Sequence, residues 1–511
     1  KQTEEYIERY FIDMKGITKP FVCLLLCMLA ACGAKQEAEQ LPVYRTLDDL
    51  NGRKVAALTG CFQEAIIEKE YPEVEVLRID NAADVVQALA TKRCEAVVLD
   101  DYIFLYHSQT VKGLDYLEKP LVTATMGFCF GKNKNVELRL KFNDFLAKIK
   151  ADGTYDEIYD RWMYHANEAE MPDIPLPQDA EPIRIATCST SPPLDFIKNG
   201  KLVGFDIELA TRFAQYVGRP IEWSDMNFAS VIPALISGKH DMIVAAVNIT
   251  PARAEAIDFS DPYFECGSLI GIRAENSAKQ AAETNVGGKG ILQGVKDSFY
   301  LNVIEEDRYL MIWNGLKLTA LISLLAALLG TLLGAIVCWM RMSRHASLRS
   351  VASLYISVMR GTPVLVLLML MFYVVFAGTT IDAVTVSIIT FGMNFAAYVS
   401  EMFRSSIESV DRGQAEAGVA LGFTPVQTFF HIVMPQAFKQ VLPVYKGELI
   451  SLIKMTSIVG YIAVQDLTKV SDIIRSRTFD AFFPLLMVAL LYFILAWIFA
   501  SVLDFIGKKA R

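Results

Sequence analysis

Metal, thiol and nucleotide chemistry each need particular residues at particular spacings, and this chain of 511 residues lacks all three patterns. Its nine cysteines form no C-x-x-C or Cys/His group, and the five histidines are scattered, so no metal is expected. G-x-x-x-x-G-K-[ST] is absent, because none of the five Gly-Lys pairs has a glycine five residues before its own. Any ATP chemistry therefore has to come from another chain. No cofactor is expected, and the chain is read as a non-enzyme. A net charge of −8 without a basic block argues against nucleic acid as a partner. What remains is non-covalent. Lys454 sits inside the apolar run 447–464, where a lysine at mid-bilayer costs about 2.5–3.5 kcal/mol and should face protein or a cavity, unless it snorkels to the inner face. A polar interruption, "EAGVALGFTPVQTFFHIVMP" at 416–435, also separates two oily stretches.

The elements around these residues suggest a chimera. Apolar residues make up 53% of the chain, with 30 Phe, which fits a soluble part joined to a bundle of spans. From Met14, where translation is expected to start, two lysines precede an apolar run from Phe21 to Ala31. That is the layout of a secretory signal, or of an uncleaved anchor. Leu29-Ala30-Ala31-Cys32 resembles a bacterial lipobox, which implies lipidation of Cys32. Segments 310–340, 352–377, 382–403 and 482–506 are each long enough for a hydrocarbon core of about 30 Å, and 447–464 is a shorter fifth. The arginines of 341–349 and the basic C-terminus belong in the cytoplasm. That places the soluble part outside and 404–446 inside, as the signal also requires.

The interruption is built as helix, break, helix. Asp411 caps the first helix with Gln414 placed to answer it, and Gly422 ends it. Thr424, Pro425 and Gln427 start the second as a capping box, and Pro435 stops it. Val426, Phe429, Phe430 and Val433 form an apolar stripe, which either lies on the chain's own bundle or fills a partner's groove. Glu416, Ala417, Leu421 and Gly422, followed by Phe429, Ile432 and Pro435, closely resemble the EAA loop of ABC importer permeases. In that family the loop docks on the ATPase subunit. Gly418 departs from the family's usual alanine, which could loosen the first helix by roughly 1 kcal/mol. "GLKLTALISLLAALLGTLLGA", "MRGTPVLVLLMLMFY" and "ELISLIKMTSIVGYI" resemble the polar amino-acid branch of these permeases, so the resemblance covers 299–507. By that resemblance, Lys454 has a structural or pathway role. Gly330-x-x-x-Gly334 suggests a close helix contact.

Strand-length runs at 54–58 and 94–100 flank a helical 82–92, two amphipathic helices break at Gly153, and a Pro-rich linker fills 171–182. A second α/β unit begins at "IRIAT", continues with helices at 205–218 and 228–238, and has a strand at 241–247. Residues 183–275 resemble the first lobe of amino-acid-type periplasmic binding proteins, and 46–165 resemble the second lobe with its tail. The lobe order is swapped relative to the family. This implies either one circularly permuted module or two half-modules that pair between chains.

The resemblance assigns roles to site residues. Arg253 would grip the ligand carboxylate in a bidentate pairing, with Thr250 and Asn248 adding donors. Asp100 would receive the ammonium, and Phe228 would cover the side chain. Thr59 and Gly60 would close onto the carboxylate. On the residues alone, Arg253 could instead pair with Glu255 or Asp258, and Asp100 could simply cap a helix. Cys188 and Ser191 depart from the family's Asp and aromatic residue. Five soluble-part cysteines, an odd number at irregular spacing, argue against a full disulfide framework and leave one bridge possible.

The expected fold is multidomain: an α/β two-lobed type II periplasmic binding protein, permuted, followed by an all-α transmembrane bundle of five helices. The expected divisions are 1–40 (extension and signal), 41–165 (lobe 2 and tail), 166–182 (linker), 183–276 (lobe 1), 277–298 (linker) and 299–511 (permease, with its EAA loop at 411–435). The implied function is the binding and permease subunit of an ATP-driven importer for a polar amino acid or similar solute. Its implied partners are cytoplasmic ABC ATPases, the bilayer and a second copy of the chain. It would reside as a multi-pass protein in the bacterial inner membrane, with the binding domain outside. A ligand-gated channel of the glutamate-receptor type is the alternative, although no TVGYG-like filter occurs.

Overall fold

Short apolar runs bounded by turn residues become buried parallel strands when helices cover both faces of their sheet, and two such sheets form here. The computed structural model describes residues 42–166, 168–277, 296, 298–379, 381–478, 480 and 482–509. The signal and Cys32, and most of the linker 277–298, lie outside them. In the first sheet the strand order is Glu75–Ile79, Lys54–Leu58, Ala96–Asp100, Phe264–Arg273, Leu114–Tyr116. Ala96–Asp100 is buried throughout. Val97 and Leu99 join the core that contains helix Ala82–Ala90, while Ala96 and Val98 face Leu47, Leu50 and Val55.

The second sheet runs Ile221–Asp225, Ile183–Thr187, Met242–Ile243, Cys129–Gly131, Ile257–Phe259. Each sheet thus takes one antiparallel strand from the segment that builds the other. Phe264–Arg273 pairs with Ala96–Asp100, with Leu269 opposite Leu99, and Cys129–Gly131 lies between Met242–Ile243 and Ile257–Phe259. The tail helix Val136–Ala151 packs Phe142 and Phe145 on Phe213, beside the second sheet. The strand expected over 241–247 is only Met242–Ile243. The described cysteines Cys61, Cys94, Cys129, Cys188, Cys266 and Cys338 are all free.

The C-terminal part is helical. Among the described residues three helices are long and apolar enough to cross a membrane: Tyr300–Arg341, Ala383–Glu408 and Phe482–Gly507. The segment expected as one span at 352–377 is instead two helices, Ala346–Gly361 and Val364–Val375, bent by 108°. Proline is the cause: Thr362, which precedes Pro363, is pushed to an extended φ −105°, ψ 134°. The expected 447–464 segment is likewise not one helix. It leaves helix Met434–Met455 through a 3-10 turn, Thr456–Ile462, and then bends into Leu467–Thr478.

The first and third apolar segments meet backbone to backbone. A Cβ on Gly330 would stand 2.7 Å from the Gly392 carbonyl oxygen, and one on Gly334 would stand 2.8 Å from a Val399 methyl. The expected Gly330/Gly334 contact therefore exists, and small residues are what permit it. Gly330→Leu is predicted to destabilise the full chain by about 3 kcal/mol through overpacking, measured as a lowered midpoint of thermal unfolding in detergent. Gly361→Leu, at a position with nothing within 4 Å of an added Cβ, should change it far less.

Candidate functional site

Parallel strands aim the loops at their carboxyl ends toward the same space, and in open α/β sheets that space is where ligands bind. Here the two sheets turn these ends toward one cavity. Thr59 follows Lys54–Leu58, Asp100 ends Ala96–Asp100, and Cys188 follows Ile183–Thr187; all three line it, with Ser191, Phe228, Asn248 and Arg253. Gly60 joins through its carbonyl, which accepts from Arg253 Nη2 at 3.2 Å. Thr250 does not line the cavity. Its hydroxyl oxygen accepts the Arg253 N–H at 3.2 Å and so caps helix Pro251–Ala256, from which Arg253 projects.

Arg253 is held in three ways. Nη1 donates to the Asn248 carbonyl at 3.0 Å, Nη2 reaches Gly60, and the guanidinium lies over the Phe228 ring at 5.6 Å. Burial pulls its pKa below the ordinary value. Asp258 pairs with Lys132 instead, at 3.1 Å, and no carboxylate pairs with Arg253 among the described residues. A desolvated guanidinium without an anion is a standing demand for one.

Asp100 is the opposite case. Its carboxylate accepts from Gln63 Nε2 at 2.6 Å and from Asn248 Nδ2 at 3.4 Å, with the Ser268 hydroxyl at 3.5 Å. It makes no side-chain cap to the following helix, so the capping alternative does not describe it. Burial raises its pKa to about 6.

One short segment of the helical part touches both lobes of this module, and Phe372 and Tyr373 meet it separately at Lys239 and Met226. In Leu467–Thr478, Lys469 Nζ lies 3.5 Å from Asp225 and Arg475 Nη1 lies 2.7 Å from Asp84. Arg477 donates to the Tyr106 hydroxyl at 2.7 Å and lies 4.8 Å over the Phe196 ring. Asp225 and Phe196 belong to the second sheet's lobe, and Asp84 and Tyr106 to the first's, so one helix holds both. Tyr461, from the preceding turn, lines the cavity itself.

The loop at 411–435 lies at the other end of helix Ala383–Glu408, which spans 26 residues, about 39 Å. Thr424 and Gln427 form the expected capping box, with Pro425 in the first turn, and Gly422 (φ +89°) ends the first helix. Two expectations fail here. Gln414 does not answer Asp411, whose carboxylate accepts from Gly413 N at 2.6 Å; its side-chain oxygen instead accepts from Gln436 Nε2 at 3.4 Å. Pro435 does not stop the second helix, because a wide π turn, Phe429–Val433, carries the chain into Met434–Met455 with proline in its first turn, where no N–H is missed. The stripe splits: Val433 and Phe429 pack on Val410 and Ala437, while Val426 and Phe430 are exposed. Glu416, Ala417, Gly422 and Pro435 are exposed too. Gly418 is buried, and an added Cβ would stand 2.7 Å from Ile432 Cδ1, so the departure from alanine fits helix-to-helix contact.

Lys454 is exposed on this chain, and Lys469 is a buried cation of this region. Sequence reasoning missed Lys469, Gln63 and Tyr461. Lys469 carried a faint signal as a lone lysine three residues after Asp466; the others carried none.

A pH dependence follows from Asp100. Below about 6 its carboxyl is neutral and cannot receive an ammonium. Affinity for an amino acid is therefore predicted to fall about tenfold per pH unit below that point, measured by calorimetric titration on the full chain between pH 4.5 and 8, a range chosen to bracket the Asp100 value of about 6. Asp100→Asn should bind weakly at every pH and lose the slope.

Comparison with known proteins places this geometry. Residues 183–444 match the bacterial extracellular solute-binding proteins, family 3. Over 197 residues, 38% of this chain and 87% of the relative, the chain is 38% identical to the probable amino-acid ABC transporter permease protein YckA of Bacillus subtilis (strain 168). Over 210 residues, 41% of this chain and 90% of the relative, it is 34% identical to the L-cystine transport system permease protein TcyB of the same organism. A crystal structure of an amino acid ABC transporter with histidines is 34% identical, covering 44% of this chain and all of that one at a TM-score of 0.37. The chain belongs both to the family 3 extracellular solute-binding proteins and to the amino-acid ABC transporter permeases.

Proposed function

We propose that this chain is the substrate-binding and permease subunit of an ATP-driven ABC importer, taking up a polar amino acid or a similar small zwitterion. The observation that carries the reading is the pairing of opposite demands in one cavity: Arg253, a half-buried guanidinium, and Asp100, a buried carboxylate, neither with an ion-pair partner among the described residues. A free amino acid presents the complement of both. Thr59, Asn248 and Phe228 line the rest, and Gly60 and Thr250 position Arg253.

The finer architecture belongs to the same proposal. The module of 41–276 is one permuted type II binding protein folded within a single chain, a reading supported by the mutual strand exchange of its sheets. Counting each bent pair as one span gives five spans, with the module outside the cytoplasmic face of a bacterial inner membrane and the 411–435 loop inside. Exposed Val426, Phe430 and Glu416 then offer that loop to a separate ATPase. Five spans are too few to enclose a path, so a second copy completes it and covers Lys454.

The test is equilibrium binding to the full chain in nanodiscs, against each proteinogenic L-amino acid and cystine. At least one polar amino acid should bind one per chain, and Arg253→Ala should weaken it about a hundredfold, as expected for losing a charge-assisted pair. Saturable binding of none would overturn the reading.

A further inference from the structure

The cavity is not closed by the binding module alone. Tyr461 belongs to the 3-10 turn Thr456–Ile462 of the helical part, yet lines the same space as Asp100 and Arg253. Its backbone is fixed, because its carbonyl accepts the Tyr373 hydroxyl at 2.9 Å. Two of the other three rings on the wall have partners already, while Phe62 has no stacked ring or cation among the described residues. The Arg253 guanidinium lies over Phe228, and Tyr102 meets Phe264 edge-on at 5.7 Å. Among the described residues no ring or cation stacks on Tyr461.

One charge on the wall is also unanswered. If Arg253 takes the ligand's carboxylate and Asp100 its ammonium, as in the reading above on which this rests, the backbone groups of the amino acid are used up. Asp80 remains, a carboxylate at the exposed rim of the cavity and near enough to Tyr461 to act on its charge. No cation pairs with Asp80 among the described residues; the nearby Arg78 is taken by Glu64 and Glu68. An aromatic face beside a carboxylate favours a cation, and most strongly a planar one, which can stack and pair at once.

We infer that Tyr461 and Asp80 form the side-chain subsite of this cavity, that the preferred ligand is an amino acid with a cationic side chain, and that the permease part supplies half of its selectivity. Tyr461 is then a ligand-contacting residue, and the docked chain, not the module by itself, sets the substrate.

The experiment is calorimetric titration of the full chain in nanodiscs with L-arginine, L-lysine, L-glutamine and L-glutamate. Arginine should bind tightest. Tyr461→Ala should weaken arginine about tenfold, a cation–π loss, while Tyr461→Phe keeps the ring and the affinity. Asp80→Asn should weaken arginine and lysine but leave glutamine unchanged. Unfolding midpoints of the ligand-free variants separate a lost contact from a lost fold. If both Tyr461→Ala and Asp80→Asn leave arginine affinity unchanged, or if glutamine or glutamate binds more tightly than arginine, the subsite is overturned while the amino-acid reading stands. Binding of no amino acid at all overturns both.

Discussion

A lysine with almost no exposure is tolerated only beside a counter-charge, and Lys469 finds its counter-charge in another module. Its side chain is 1% exposed and its partner Asp225, in the second sheet's lobe, is 7% exposed. Removing water from two such groups costs several kcal/mol each, and the pair repays that only when geometry and further hydrogen bonds are good. Asp225 has them: it accepts from Ser189 N at 2.9 Å, Ser189 Oγ at 2.7 Å and Gln465 Nε2 at 3.3 Å. Such a pair is costly to leave half-made, so it specifies one docking geometry rather than adding general adhesion.

The rest follows from that fixed point. With Lys469 anchored, the turn before it brings Tyr461 to the cavity, and the helix after it brings Arg475 and Arg477 to the other lobe. A helix that touches both lobes experiences their relative position directly. The bundle continues away from this contact through Ala383–Glu408, tied to Tyr300–Arg341 at Gly330 and Gly392, and ends at the exposed loop. A packed helix pair of this kind transmits displacement with little slack. The cavity at one end and the exposed loop at the other are therefore joined by rigid elements.

Local pattern made much of this legible. Parallel strands such as Lys54–Leu58 and Ile183–Thr187 announce themselves as short apolar runs, and the Thr424–Gln427 box announces a helix start. Some failures arose because partners lay far away in sequence, others because proline geometry bent the chain locally. Phe264–Arg273 takes its role from strands more than 150 residues distant. Pro435 reads as a stop until the π turn before it absorbs the missing bond, and Thr362-Pro363 reads as mid-span until the bend is seen. In the cavity, Asp100, Phe228 and Arg253 were legible through family resemblance. Tyr461 and Lys469 were not, because no periodicity tells a residue of one module that it will enter another.

The claim that module and bundle are one docked unit is tested most directly by a double-mutant cycle on Asp225 and Lys469, reading the unfolding free energy of the full chain in detergent. Asp225→Asn and Lys469→Met should each cost about 3 kcal/mol by stranding a buried charge. The double variant should cost well below their sum, giving a coupling of roughly 2 kcal/mol. Strictly additive losses would mean that the two residues do not meet, and the docked arrangement would be wrong.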